Sequence, residues 1–255
     1  MNKPIDFKDI SCAQCASAVE LDFDFTMAFQ PIVDVSNKEI FAYEALVRGL
    51  NNEPAGAVFK HVNQSNLYRF DQSCRVKAVK LAAELNLQQR LSINFMPNAI
   101  YRPELCIRAT LEACDTYGLS IDKLIFEITE GEKVTDHQHL KNIVTHYQQR
   151  GFSTALDDFG AGYSGLNMLA EIQTDLLKID MALVRGLDAD KIRQSLVKAV
   201  VQFCRDLNMA VIAEGIETQA EFHILKNIGI ELFQGFYFAK PAFEQLQPVD
   251  QCLLD

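Results

Sequence analysis

The chain is short of several things, and each shortage excludes a class. Glycine and proline together are sparse, at 12 and 7 of 255 residues, so this is not a low-complexity or collagen-like chain. Basic residues never run longer than two, and 24 Lys and Arg stand against 34 Asp and Glu, giving a formal charge of −10. An electrostatic grip on a nucleic acid polymer or an anionic membrane surface is therefore excluded. No stretch reaches the roughly 18 apolar residues that span a bilayer. The first 25 residues carry charges throughout, without the apolar core of a signal peptide, so a cytoplasmic protein is expected. The seven cysteines are an odd number, mostly scattered singly. Cys74, Cys106, Cys114 and Cys204 read as reduced core thiols rather than a disulfide framework. No G-x-x-x-x-G-K-[ST] turn follows any strand-like run, which argues against an open P-loop nucleotide-binding sheet.

What is present is 49% apolar composition in a regular rhythm. Two apolar runs, FTMAFQPIVDV and EIFAYEALVRG, are joined by the polar SNK and predict an antiparallel hairpin. After them, short Ile/Leu/Val/Phe runs alternate with amphipathic helical segments predicted at 66–87, 103–118, 136–150, 163–171, 189–207 and 218–228. Such alternation builds parallel βαβ units, and about eight strands in ~250 residues is the size of a (β/α)8 TIM-like barrel. The opening hairpin would be its one antiparallel irregularity. No linker divides the chain, so one domain over 24–255 is expected, preceded by an arm over 1–23 that holds the Cys12–Cys15 pair.

Polar residues inside the strand-like runs fall late in their strands. Glu44 closes the second, Asn94 the third, Glu127 and Glu130 the fourth, Asp157 and Asp158 the fifth. Lys178 and Asp180 end the sixth, Glu214 and Glu217 follow the seventh, and Gln234 sits in the eighth. In a parallel barrel these ends share the face where active sites are built. Carboxylates gathered there repel by several kcal/mol unless some are protonated or divalent cations sit among them. With oxygen donors and no convergent histidine, the set suits Mg²⁺, Mn²⁺ or Ca²⁺ rather than zinc. Adjacent Asp157 and Asp158 suit a pair of ions about 3.5–4 Å apart, an arrangement that serves phosphoryl chemistry. The five histidines lie away from strand ends and read as solvated.

The segments AFQPIV, YEALVRG, SINFMPN, FEITE, ALDDFGAGYSGL, LLKID, IAEGIET and FQGFYF, in this order from about residue 24 to 243, resemble the EAL family of cyclic di-GMP phosphodiesterases. The stretch VRGLNNEPAGAVFKHVNQSNLYRFDQSCRVKAV is most similar to EAL domains fused to BLUF light sensors, with no sensor domain in this sequence. The resemblance implies metal-dependent hydrolysis of cyclic di-GMP to linear pGpG, with two Mg²⁺ or Mn²⁺ ions; Ca²⁺, which takes more ligands at longer distance and polarises water less, is expected to inhibit. Glu44, Asn94, Glu127 and Asp157 would hold one ion, and Asp157 and Asp158 the other. Lys178 would orient the attacking water, and Glu214 would support a metal water or act as a base. Gln30, Arg48, Glu217 and Gln234 would contact the dinucleotide or support the site. Glu130 and the DFGAGYSGL loop would couple the site to a homodimer interface, and a separate sensor or regulatory protein is a further expected partner.

Blander readings stand beside these. Asp before Gly often only turns or caps a chain; Lys178 would then merely pair with Asp180, and Gln30, Glu217 and Gln234 would hydrogen-bond at the rim. Phe159, Tyr163, Phe236 and Phe238 read as packing residues, and Cys12 and Cys15 as two reduced thiols. The alternative at the level of function is a catalytically silent cyclic di-GMP receptor or protein-interaction module; a barrel enzyme acting on metal-bound enolates is a third.

Overall fold

The computed structural model describes residues 21–100, 102–129, 137–162 and 165–254. Cys12, Cys15, Glu130 and Tyr163 lie outside the described residues. Strands β1 (Thr26–Asp34) and β2 (Glu39–Arg48) form the expected antiparallel hairpin, with Gln30 opposite Glu44. The turn forms because the Asp34 carboxylate accepts from the backbone N–H groups of Ser36 and Asn37. Six parallel strands follow: β3 (Arg90–Phe95), β4 (Leu124–Thr129), β5 (Ser153–Phe159), β6 (Leu176–Ile179), β7 (Ala210–Ala213) and β8 (Leu232–Phe233). β1 runs antiparallel to both β2 and β8 and so closes the ring, while a short β9 (Ala242–Phe243) pairs with the start of β1. This is the TIM-like barrel with one reversed strand.

The connecting helices are α1 (Ala55–Phe59), α2 (Leu67–Glu84), α3 (Pro103–Cys106), α4 (Arg108–Tyr117), α5 (His137–Gln149), α6 (Gly165–Glu171), α7 (Met181–Val184), α8 (Lys191–Asp206) and α9 (Gln219–Ile228). Their starts have local causes. Asp190 accepts from Ile192 and Arg193 N–H to begin α8, and Thr218 and Glu221 form a capping box on α9. The single helix expected over 103–118 is broken at Ile107 into α3 and α4, and α1 and β9 carry no pattern long enough to announce them. The eighth strand is also shorter than its apolar run, and Gln234 lies just beyond it rather than inside it. The chain must turn there because Gly235 lies against the Ile216 backbone, where a Cβ would stand 2.1 Å from the carbonyl oxygen.

Packing separates two apolar regions. Between barrel and helices lies the main core, in which Phe95, Phe126, Tyr147 and Phe152 stack at ring distances of 5.0–6.0 Å. Each such fully buried ring stabilises the fold by about 1.5–3 kcal/mol. Inside the barrel sits a second, smaller cluster of Ile32, Ala42, Ile125, Ala155, Leu176, Ile212 and Leu232, all buried. Side chains alternate along a strand, so the residue two positions further on faces the same interior. On β2, β4, β5, β6, β7 and the exit of β8 those residues are Glu44, Glu127, Asp157, Lys178, Glu214 and Gln234. On β3 the corresponding pair is Ser92 and Asn94, and on reversed β1 Gln30 precedes Ile32. An apolar floor thus carries a polar ring. The exit of β3 is pinned from outside by buried Asp71, which accepts from Met96 N–H at 2.9 Å and pairs with fully buried Arg75 at 2.7 Å.

Gly235→Ala tests the close approach of the β8 exit to the Ile216 backbone. The new Cβ collides with backbone rather than a movable side chain, so denaturant unfolding should show a loss of about 1–3 kcal/mol.

Candidate active site

Lys178 stands at the centre of the ring with 1% of its side chain exposed. Its Nζ lies 2.6 Å from Glu214 Oε1, 2.8 Å from Glu127 Oε2, 3.1 Å from Asp157 Oδ1 and 3.6 Å from Glu44 Oε2. Four strands deliver these carboxylates to one ammonium. Asp180 is not a partner; it caps α7 by accepting from Ala182 N–H. The simple pairing of Lys178 with Asp180 is therefore replaced by a five-residue cluster. Burial alone would push Lys178 down, but the charges of Asp157, Glu127, Glu214 and Glu44 outweigh it and hold the ammonium well above its usual range. The same burial drives Glu127 and Glu214 well above the usual carboxyl range, Glu44 adding to the rise at Glu127 and Asp157 to that at Glu214.

The carboxamides bind the ring together. Asn94 Nδ2 donates to Glu44 Oε1 at 2.9 Å, and Gln234 Nε2 donates to Glu44 Oε2 at 2.7 Å and to Gln30 Oε1 at 3.2 Å. Gln30 in turn donates to the Ala239 carbonyl, and Ser92 Oγ donates to Glu127. The rim reading of Gln30 and Gln234 as hydrogen-bonding groups is visible in these contacts. Gln234 Oε1 is buried with no hydrogen-bond partner.

Beside this cluster, Asp157, Asp158 and Glu214 each present an oxygen within 4.8 Å of the other two, the spacing of a cation site. Asp158 has φ +59°, a left-handed conformation that Asp tolerates better than most residues, and its N–H donates to Asp157 Oδ1 at 2.9 Å. That turn brings both carboxylates to the same side. Burial, then the charges of Asp157 and Asp180, push Asp158 up to about 6. Glu214, read from the sequence as a supporting acid, shares this trio directly. Asp157 belongs to both groups, touching Lys178 on one side and the trio on the other. Three carboxylates and no nitrogen or sulfur fit a hard divalent cation.

The ring opens into a cleft of about 230 Å³. Gln30, Glu44, Asp157, Asp158, Lys178, Glu214, Glu217 and Gln234 line it, whereas Asn94 and Glu127 lie behind, bonded to Glu44 and Lys178. Arg48 is not among the lining residues; its Nη1 donates to the Val47 carbonyl, and burial pushes its guanidinium down against the raising charge of Glu44. Two residues that sequence reasoning passed over, Met181 and Arg185, also line the cleft, and so does Phe236, which the sequence suggested was a packing residue. Phe159 and Phe238 are packed as expected, but Phe236 is 53% exposed at the mouth, with Lys240 Nζ 5.4 Å from its ring centre. A larger surface hollow of about 610 Å³ beside α4 contains no converging ionisable set. His61, His137 and His223 are exposed, and His139 and His146 half-buried, all away from the cleft. Cys74, Cys106, Cys114 and Cys204 are buried thiols, none of them in a disulfide with another described residue. No helix of the described residues is long and apolar enough to cross a membrane.

The EAL domain model matches residues 14–241 of this sequence. The chain belongs to the EAL domain family. It is 30% identical to the blue light- and temperature-regulated antirepressor BluF of Escherichia coli over 236 residues, which cover 92% of this chain and 58% of that protein. It is 40% identical to the cyclic di-GMP phosphodiesterase PdeR of Escherichia coli over 123 residues, 47% of this chain and 19% of that protein. This EAL chain thus spans less than two thirds of these curated relatives. Among solved structures, the cyclic di-GMP-bound form of a standalone versatile EAL protein from Vibrio cholerae superposes with a TM-score of 0.90 at 57% identity, covering 92% of this chain and all of that one. The calcium and cyclic di-GMP complex of Klebsiella pneumoniae BlrP1 superposes at 0.83 with 34% identity, covering 88% and 57% respectively.

A carboxyl whose folded pKa exceeds its unfolded value binds its proton more tightly in the native state, so stability grows as pH falls through the folded pKa. Asp158 has a folded pKa of about 6 against an ordinary 3.8, and Glu127 and Glu214 shift the same way. With divalent ions chelated, the melting temperature should rise as pH falls from 7.5 to 5.5, and Asp158→Asn should flatten that rise.

Proposed function

We propose that the chain is a metal-dependent phosphodiesterase that hydrolyses cyclic di-GMP to linear 5′-pGpG. The carboxylate trio beside a buried lysine carries this reading, because it supplies a cation site and a fixed positive charge in one cleft. Support comes from EAL relatives named as cyclic di-GMP phosphodiesterases and from the cyclic di-GMP-bound Vibrio cholerae neighbour. Asp157 would share two Mg²⁺ or Mn²⁺ ions, with Asp158 on one and Glu44, Asn94 and Glu127 on the other. Asn94, whose Nδ2 donates to Glu44, would offer its Oδ1 to that ion. Such ions, when bound, supply Lewis acidity to the scissile phosphate and to the attacking water.

The chain's own residues do the rest. Lys178 keeps its charge at pH 7 and offers an N–H to an oxygen that gains negative charge. Glu214, 2.6 Å from that ammonium, would accept a proton from water. Glu217 and Gln234 at the lip contact the dinucleotide or support those that do, and Arg48 supports Glu44 from outside the cleft. The working unit is a cytoplasmic homodimer of the 24–255 domain, with Glu130 and its loop linking site to interface and residues 1–23 as an arm. A separate sensor or regulatory protein supplies the controlling signal.

A silent receptor is the second reading, favoured by the BluF relative, which is named an antirepressor. Chromatography separates the two. Incubation with cyclic di-GMP and Mg²⁺ should yield pGpG; binding with no product would favour the receptor. Asp157→Asn should lower kcat by about 10³-fold or more, the scale of losing a principal electrostatic contact, and Lys178→Ala should lower kcat far more than it raises KM. Ca²⁺, which takes more ligands at longer distance, should support binding and suppress turnover.

A further inference from the structure

The charges of the cleft do not balance for a ligand with two phosphates. Its described lining carries five carboxylates and only two cations, Lys178 and Arg185. Lys178 is only 1% exposed and is surrounded by three of those carboxylates and by Glu127 behind them, so it is not free to meet a second anionic group. Arg185 is different. Its side chain is 40% exposed at the lip, paired with Glu217 through Nη1–Oε2 at 2.5 Å and Nη2–Oε1 at 2.8 Å. A guanidinium bound two-pronged to a carboxylate presents the geometry that also grips a phosphodiester.

Arg185 is mounted too firmly to be an incidental surface residue. Its N–H donates to Met181 O at 2.8 Å, and its carbonyl accepts from Arg193 Nη1 at 2.8 Å. Buried Glu221 accepts from Gly186 N–H at 3.0 Å and from Glu217 N–H at 3.1 Å, so one carboxylate ties the residue after Arg185 to its partner Glu217. Gly215, with φ +66°, lets α7 approach so closely that a Cβ there would stand 2.4 Å from Met181 Cβ. Arg185 is thereby registered against Glu214, the residue before Gly215, and hence against the metal trio.

Resting on the phosphodiesterase reading, we propose that Arg185 binds the second, non-scissile phosphate of the cyclic dinucleotide, and that Glu217 holds its guanidinium poised until that phosphate replaces it. The scissile phosphate goes to the cation site; the other would otherwise face an acidic lip unpaired. Glu217 is then a positioning residue acting through Arg185 rather than a direct ligand contact.

Two substrates test this. Bis(p-nitrophenyl) phosphate has one phosphodiester and engages only the metal centre, whereas cyclic di-GMP has two. Arg185→Gln should raise KM for cyclic di-GMP at least tenfold with kcat within about twofold, and should leave hydrolysis of bis(p-nitrophenyl) phosphate unchanged. Arg185→Lys should recover part of the loss, since charge returns without the fork. Adding Glu217→Gln to Arg185→Gln should cost nothing further, as expected of residues acting in series. An exposed pair contributes little to stability, so melting curves should match wild type. An unchanged KM for cyclic di-GMP, an equal loss on both substrates, or an additive double variant would overturn the proposal. Calorimetry with Ca²⁺ makes the same comparison without turnover: weaker cyclic di-GMP binding by Arg185→Gln supports it even if wild type releases no pGpG, an outcome that would reject the hydrolase reading alone. Absence of cyclic di-GMP binding by wild type overturns both.

Discussion

The buried ammonium of Lys178 is the constraint on which the ring depends. An isolated cation of this kind would cost several kcal/mol to desolvate, and so would each carboxylate around it. Placed together, with Nζ within 3.6 Å of Glu44, Glu127, Asp157 and Glu214, they offset one another only in part, because negative groups outnumber the positive one. Burial, together with this excess of negative charge, raises the proton affinity of Glu127, Glu214 and Asp158. A site with this imbalance takes up either protons or divalent cations. The fold maintains such a cluster because its floor is dry and close-packed, and because the helices outside bury enough apolar surface to outweigh it.

The layering explains why one barrel holds both a stable floor and a reactive ring. Each parallel strand contributes one apolar and one polar inward residue two positions apart, so the change from core to site occurs over a single pleat. The outer elements then fix the ring's edges. Asp71 and Arg75 clamp the exit of β3 behind Asn94, and Glu221 joins the exits of β6 and β7 at the lip.

Most of this architecture was legible in the sequence because it is periodic. Alternation of strands and helices gave the barrel, and polar residues late in strands marked Glu44, Asn94, Glu127, Asp157, Lys178 and Glu214 before any coordinates placed them. What escaped depends on contacts between distant segments. The shortness of β8 follows from Gly235 meeting Ile216, and the break at Ile107 from packing that no local pattern announces. Arg185 and Phe236 lie in loops after strands, where period-two reasoning has no purchase, and an aromatic near a strand end looks the same whether packed or exposed. Arg185 did carry a faint signal, as a cation five residues beyond the Lys-Ile-Asp run on the face where the carboxylates collect.

The central claim is that the acidic ring is organised to hold two divalent cations, with Asp157 between them. Anomalous diffraction from crystals grown with Mn²⁺ and cyclic di-GMP tests it most directly. The account predicts two peaks inside the ring, about 3.5–4 Å apart, with an Asp157 oxygen at about 2.1–2.2 Å from each. A ring without peaks, or a single ion bound away from Asp157, would contradict it.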